Sequence, residues 1–135
     1  MSKLKQKSEL NYHAAELLID NTYFAASVHC SYYSCFQLFK YAIKHILGID
    51  YEELASNIAL TKQGTHQYII KSITDKIRND YGNRQYRDLK NEIADLKQFR
   101  LESDYEDIEI DIEKSRKAFE KAGIVRKYLK QNYKV

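Results

Sequence analysis

The sequence predicts an all-α protein, an up-and-down bundle of four to five helices forming one domain over residues 1–135. Three observations carry this expectation. Proline is absent and only four glycines occur, so few tight turns are available to join many short strands. Apolar residues recur at three- and four-residue spacing through most of the chain. One long stretch, residues 23–47, is apolar around nearly its whole girth, which suits a helix inside a bundle or at a subunit contact.

Each element has its own signal. A first helix is expected over residues 4–20, with Leu10, Ala14, Leu17 and Leu18 at core spacing, until Asn21 and Thr22 break and recap the chain. The second, over 23–47, carries Phe24, Val28, Tyr32, Cys35, Phe36, Leu38, Phe39, Ile43 and Ile46. Its polar stripe is narrow (Gln37, Lys40, Lys44), and Gly48 suits the position just past its end. Ser27, Ser31 and Ser34 are small enough to let another helix come close. Residues 49–64 read as a connector with one helical turn at 51–56. Thr65 is a candidate cap for a third helix to about residue 79, with a turn at Tyr81, Gly82 and Asn83. A fourth helix is expected over 84–103, buried along Tyr86, Leu89, Ile93 and Leu96. Ile108, Ile110 and Ile112 then alternate at period two, a strand signal. A single strand without a partner makes no sheet, so the segment reads as an extended crossover pinned by its isoleucines. Asp111 is placed to cap a last helix to about residue 130, burying Ala118, Ala122, Val125 and Leu129.

Composition excludes several classes. No apolar run approaches the ~18 residues of a membrane-crossing helix. Lys3, Lys5 and Lys7 have no apolar block behind them, so the start does not read as a secretory signal and a cytoplasmic location is expected. Cys30 and Cys35 are five residues apart on one helix, about 140° apart around its axis, and cannot pair; free thiols follow. The net charge of +3 says little, but its distribution says more. Between Glu102 and Glu113 there are seven acids and no base. From Lys114 onward there are eight bases and one acid, and from Lys62 to Arg87 six bases and two acids. Such basic faces either meet phosphates or are simply solvated.

The chain has no glycine-rich phosphate loop and no G-x-S-x-G elbow. Its histidines, His13, His29, His45 and His66, have no metal-ligand spacing, so no metal site and no cofactor is expected. His29 and His45 read as satisfied core or rim residues. The residue that stands out is Arg100, the next member of the buried series ending at Leu96. An arginine extending an apolar stripe must find an acceptor, reach water or sit in a cleft. Asp104, one turn on, is its nearest partner, and Tyr105 follows at once. Two readings stay open: a helix-end arginine bonded to Asp104 with Tyr105 as anchor, or a functional cleft.

Arg100-Leu-Glu-Ser-Asp104-Tyr105, followed by an isoleucine-rich crossover and an alanine-bearing last helix, resembles the HEPN superfamily (higher eukaryotes and prokaryotes nucleotide-binding domain). It is most similar to the branch with an arginine, three residues, then Asp-Tyr. Ala14-Ala-Glu-Leu-Leu18 resembles that branch's first helix, Ala25 to Leu38 its aromatic second helix, and Gly64-Thr-His66 the start of its third. The resemblance implies an antiparallel helical bundle that homodimerises. It implies an RNA-directed effector of a bacterial toxin–antitoxin or defence system, cutting RNA without a metal through the 2′-hydroxyl. It further implies a minimal nucleotidyltransferase as partner and marks Tyr105 as the site that such a partner modifies. In the usual motif a polar residue follows the arginine, and a histidine stands four to six positions on. Here Leu101 and Tyr105 occupy those places, and a tyrosine with a pKa near 10 is a poor base at neutral pH. His66 is the histidine free to enter from elsewhere, though its spacing places it only at a helix start.

Three functions are therefore to be weighed. In the first, Arg100 holds the scissile phosphate, Asp104 orients it and Tyr105 bonds to the phosphate or is modified. In the second, the same three residues form a structural network in a non-catalytic module that dimerises through the second and fourth helices and partners a nucleotidyltransferase. In the third, Lys114, Lys117, Lys121 and Lys127 on the last helix bind nucleotide or RNA phosphates.

Overall fold

The computed structural model describes residues 2–135, and among them it has six helices and no strand. These are α1 (Lys3–Asp20), α2 (Phe24–Leu47), α3 (Tyr51–Ala59), α4 (Thr65–Tyr81), α5 (Asn83–Tyr105) and α6 (Ile112–Tyr133). The all-α bundle is as the sequence predicts, with one helix more. The single turn expected at 51–56 is a full helix, α3, capped by the Asp50 carboxylate on the Glu53 amide and anchored by buried Leu54.

Helix α2 is the central element and packs against α1, α4, α5 and α6. Its buried residues run from Ser27 to Ile43 and include Val28, Tyr32, Cys35, Leu38 and Phe39. It stops at Gly48, whose φ of 69° is the left-handed conformation that glycine adopts most readily. Four helices of the same chain cover most of its apolar arc, and Phe24, Tyr41, Ile46 and Leu47 stay partly exposed. Cys35 is buried, which pushes its thiol pKa up to about 12; Cys30 is half-buried, and both thiols are free.

The serine seam on α2 receives α1. Ser8 Oγ donates to the Ser34 carbonyl at 2.5 Å, and Ser27 Oγ donates to the Ala15 carbonyl at 2.7 Å. This seam corrects the expected phase of α1. Its buried residues are Ser8, Ala15 and Ile19, while Leu10 and Leu17 are 68% and 62% exposed. Small residues with hydroxyls set the face, because they let two backbones approach more closely than leucines would.

The later elements follow the expected cores. Tyr86, Leu89, Ile93 and Leu96 are buried on α5, and Ala118, Ala122, Val125 and Leu129 on α6. Asp111 caps α6 by accepting from the Lys114 amide at 2.8 Å. The α4 N-cap is Gly64 rather than Thr65, and Gly82, at φ 93°, alone joins α4 to α5. The crossover after α5 is extended as expected. Only Ile110 pins it, however; Ile108 and Ile112 are half-exposed, although strict alternation would turn all three to one face, and α6 has already begun at Ile112. No helix among the described residues is long and apolar enough to cross a membrane.

Candidate functional site

The sequence places Arg100 in register with the buried stripe of α5, and that register aims it at α2. Its side chain is 11% exposed. Nε donates to Asp104 Oδ2 at 3.0 Å, and Nη2 donates to the hydroxyls of Tyr33 at 3.0 Å and Tyr105 at 3.1 Å. The guanidinium carbon lies 5.2–5.6 Å from the ring centres of Tyr32, Tyr33 and Tyr105, a distance at which aromatic faces attract a cation. Arg100, Asp104 and Tyr105 are thus brought together.

Two histidines join them. His29 Nδ1 donates to the Asp104 carboxylate, 2.9 Å from Oδ2 and 3.1 Å from Oδ1, and its ring lies 4.6 Å from that of Tyr33. Asp104 therefore holds an arginine and an imidazole with one carboxylate. With Nδ1 as the donor, a neutral His29 has its lone pair on Nε2, and the side chain is 46% exposed.

His66, in the first turn of α4, enters from the other side. Its ring stacks on Phe36 at 4.1 Å and meets Tyr33 edge-on at 5.8 Å. Burial, helped by the charges of Arg100 and Lys97, holds its pKa below the usual histidine value. Burial likewise pushes the Tyr32 phenol well above its ordinary value, despite Arg100 nearby. Tyr32 keeps its proton, and its hydroxyl hydrogen-bonds His66 Nδ1 at 2.6 Å. The result is a nest of three tyrosines around one arginine, with a histidine at each flank.

The sequence offered one signal for these additional residues. His29, Tyr32, Tyr33 and Phe36 stand at i, i+3, i+4 and i+7, one face of α2. Tyr32 and Phe36 on that face read as core, and His29 as a satisfied core or rim residue.

The four lysines of α6 are not brought to this site. Lys114 is paired with Glu102 and lies 5.3 Å over the Phe99 ring. Lys117 pairs with Glu113 at 3.3 Å. Lys121 bridges Glu92 at 3.3 Å and Asp95 at 3.0 Å; burial alone would lower its pKa, but these bonds raise it. Lys127 is exposed beside Tyr12, Phe119 and Gly123, where α1 meets α6. Three of the four thus already have carboxylate partners. Among the described residues no three His, Cys, Asp or Glu side chains gather to hold a metal ion.

Comparison with curated proteins and with solved structures finds no significant match. The family model of the HEPN domain matches residues 1–132, nearly the whole chain and every element that builds the arginine site, and the protein belongs to the HEPN domain family.

Proposed function

We propose that this protein is an RNA-directed effector of the toxin–antitoxin or defence type, acting as a metal-independent endoribonuclease through a modified arginine motif. The observation that carries the reading is the Asp104 carboxylate, which holds both Arg100 and His29. It supplies the histidine that the motif itself lacks. In this mechanism His29 Nε2 takes the proton of a ribose 2′-hydroxyl, and the 2′-oxygen attacks phosphorus. The bond from phosphorus to the 5′-oxygen breaks, leaving a 2′,3′-cyclic phosphate and a 5′-hydroxyl. Arg100 steadies the charge that builds on the phosphate. The Tyr105 hydroxyl accepts from Arg100, so its own proton is free to pass to the departing 5′-oxygen.

The test is RNA cleavage by purified protein in excess EDTA, comparing wild type with Arg100→Ala and His29→Ala. Cleavage by the wild type alone supports the reading. Cleavage by none of the three, or by all equally, refutes it.

One observation favours a second reading, a non-catalytic module that partners a nucleotidyltransferase. Tyr105 is 71% exposed, and its hydroxyl stands at the outer edge of the arginine network, open to modification. Transfer of a nucleotidyl group from a nucleoside triphosphate to that oxygen would form a phosphodiester and release pyrophosphate. A Tyr105→Phe variant that no longer takes label from the cognate transferase is the expected outcome. Half-exposed Ile108, on the crossover that follows Tyr105, and Ile112, at the start of α6, support homodimerisation beside the site. A monomer in sizing chromatography at micromolar concentration would contradict that.

A further inference from the structure

Farther along α2 a cleft of about 780 Å³ opens between the start of α1, the end of α2 and the start of α3. Four lysines line it, Lys3, Lys7, Lys40 and Lys44, together with Tyr41 and Tyr51, and no carboxylate is among the described lining residues. None of the four lysines has an ion-pair partner among the described residues, unlike three of the four on α6. The nearby Asp50 carboxylate is engaged in capping α3. The ammonium groups of Lys40 and Lys44 lie 5.7 and 5.3 Å over the Tyr51 ring, whose hydroxyl is buried without a hydrogen-bond partner. Four unpaired cations converging on one cleft, beside an unsatisfied donor, suit a ligand with several negative charges.

The position of the cleft says which ligand. Lys40 and Lys44 stand seven and eleven residues after Tyr33, within about 20° of it around the helix axis and about 10 and 16 Å along it. Tyr33 bonds Arg100, so the arginine site and the lysine cleft lie along one solvent-facing stripe of α2. At about 3.4 Å per stacked nucleotide, 16 Å is the length of about five nucleotides. We infer that this cleft is a second phosphate-binding subsite for the RNA strand that reaches Arg100, about three to five nucleotides away from it. The inference rests on the RNA-directed reading above. A strand laid along α2 would put its phosphates on Lys40 and Lys44, with Lys3 and Lys7 closing from α1.

The experiment uses a labelled 2′-O-methyl uridine 12-mer, which cannot be cut through its 2′-oxygen, and a trimer too short to span both sites. Binding is followed by fluorescence anisotropy over a range of salt for wild type, Lys40→Gln/Lys44→Gln and Arg100→Ala. Each phosphate contact on a single strand contributes about 0.7 to the salt slope, so two contacts are worth about 25-fold at 0.1 M salt relative to 1 M. The double lysine variant is expected to bind the 12-mer about twentyfold more weakly, with a slope shallower by about 1.4, and the trimer within threefold of wild type. Lys7→Gln, on a different helix, is expected to weaken the 12-mer severalfold and guards against a folding defect confined to α2. If the 12-mer is lost with Arg100→Ala but unchanged by the lysine variants, the subsite is refuted and the arginine site stands. If the wild type binds neither oligonucleotide, both readings fail. If the lysine variants lose only a thermal shift given by tripolyphosphate, the cleft serves a free polyphosphate and the inference is overturned.

Discussion

Replacing Asp104 with asparagine tests the site at its junction. The substitution keeps the shape and removes the charge. In the native site Oδ2 accepts from Arg100 Nε at 3.0 Å and from His29 Nδ1 at 2.9 Å. Hydrogen bonds to a charged group contribute about 1.5–3 kcal/mol and neutral ones about 0.5–1.5, so each bond loses about 1 kcal/mol. The Asp104 side chain is 20% exposed, and water recovers part of that, so a total of about 2 kcal/mol or somewhat less is expected. For a chain of this length that is a fall in melting temperature of about 6–8 °C. The effect on chemistry is larger. If the new amide nitrogen faces Nδ1, the imidazole must carry its proton on Nε2, and the base is lost. Positioned acid–base catalysis is worth about 10²–10⁴-fold, so RNA cleavage in EDTA should fall by that factor. The assay is single-turnover cleavage of a labelled RNA, with thermal melting of the same preparations. An Asp104→Asn protein that melts lower but cuts at the wild-type rate refutes the carboxylate's role in catalysis and leaves it a structural bond.

Three further outcomes are expected. Arg126→Leu should destabilise the fold by about 3 kcal/mol, the low end for breaking a buried ion pair, because Glu9 keeps Lys130 as a partner; urea unfolding measures it, and a change under 1 kcal/mol contradicts it. Burial alone would raise the Glu9 carboxyl, but the bond from Lys130 and the charges of Arg126 and Lys130 hold it below the usual value of 4.5. Its stabilisation is therefore complete above that pH and is lost as pH falls through the lower folded value, so Glu9→Gln should flatten the acid limb of a stability–pH curve. His66 is held below its ordinary 6.5, so below pH 6.5 the unfolded chain binds a proton that the folded chain still refuses. Stability should decline as pH drops from 6.5 toward the folded value, and His66→Phe should remove that slope from urea midpoints taken between pH 7.5 and 5.

Much of the fold was legible because α5 and α6 bury conventional apolar stripes, and a stripe of large side chains at helical spacing identifies itself. Helix α1 misled because its contact with α2 is made by Ser8 and Ala15 rather than by its leucines. Periodicity weighs side chains by hydrophobicity, whereas here close approach and two hydroxyl-to-carbonyl bonds decide the face. Buried Arg126 escaped for a related reason. A cation inside a core is invisible until Glu9, Ser8 and the Ser34 carbonyl are known to surround it.

The site divides along the same line. Arg100, Asp104 and Tyr105 are neighbours in sequence, and one helical turn suffices to join them. His29 and His66 lie 75 and 34 residues from the partners they bond, Asp104 and Tyr32, and only the packing of α2 against α4 and α5 makes those contacts. Helix α2 hid them because its aromatic residues serve two purposes on adjoining arcs. Tyr32 is fully buried and supports the core, yet its hydroxyl bonds His66 Nδ1. Tyr33, one residue on, is half-buried and carries an Arg100 bond into the solvent-facing stripe. A motif of arginine and tyrosine without its histidine reads as a disabled enzyme only if the histidine must come from the same helix. In this fold α2 runs past the end of α5 with His29 at the level of Asp104, so under the proposed mechanism the imidazole comes from across the bundle.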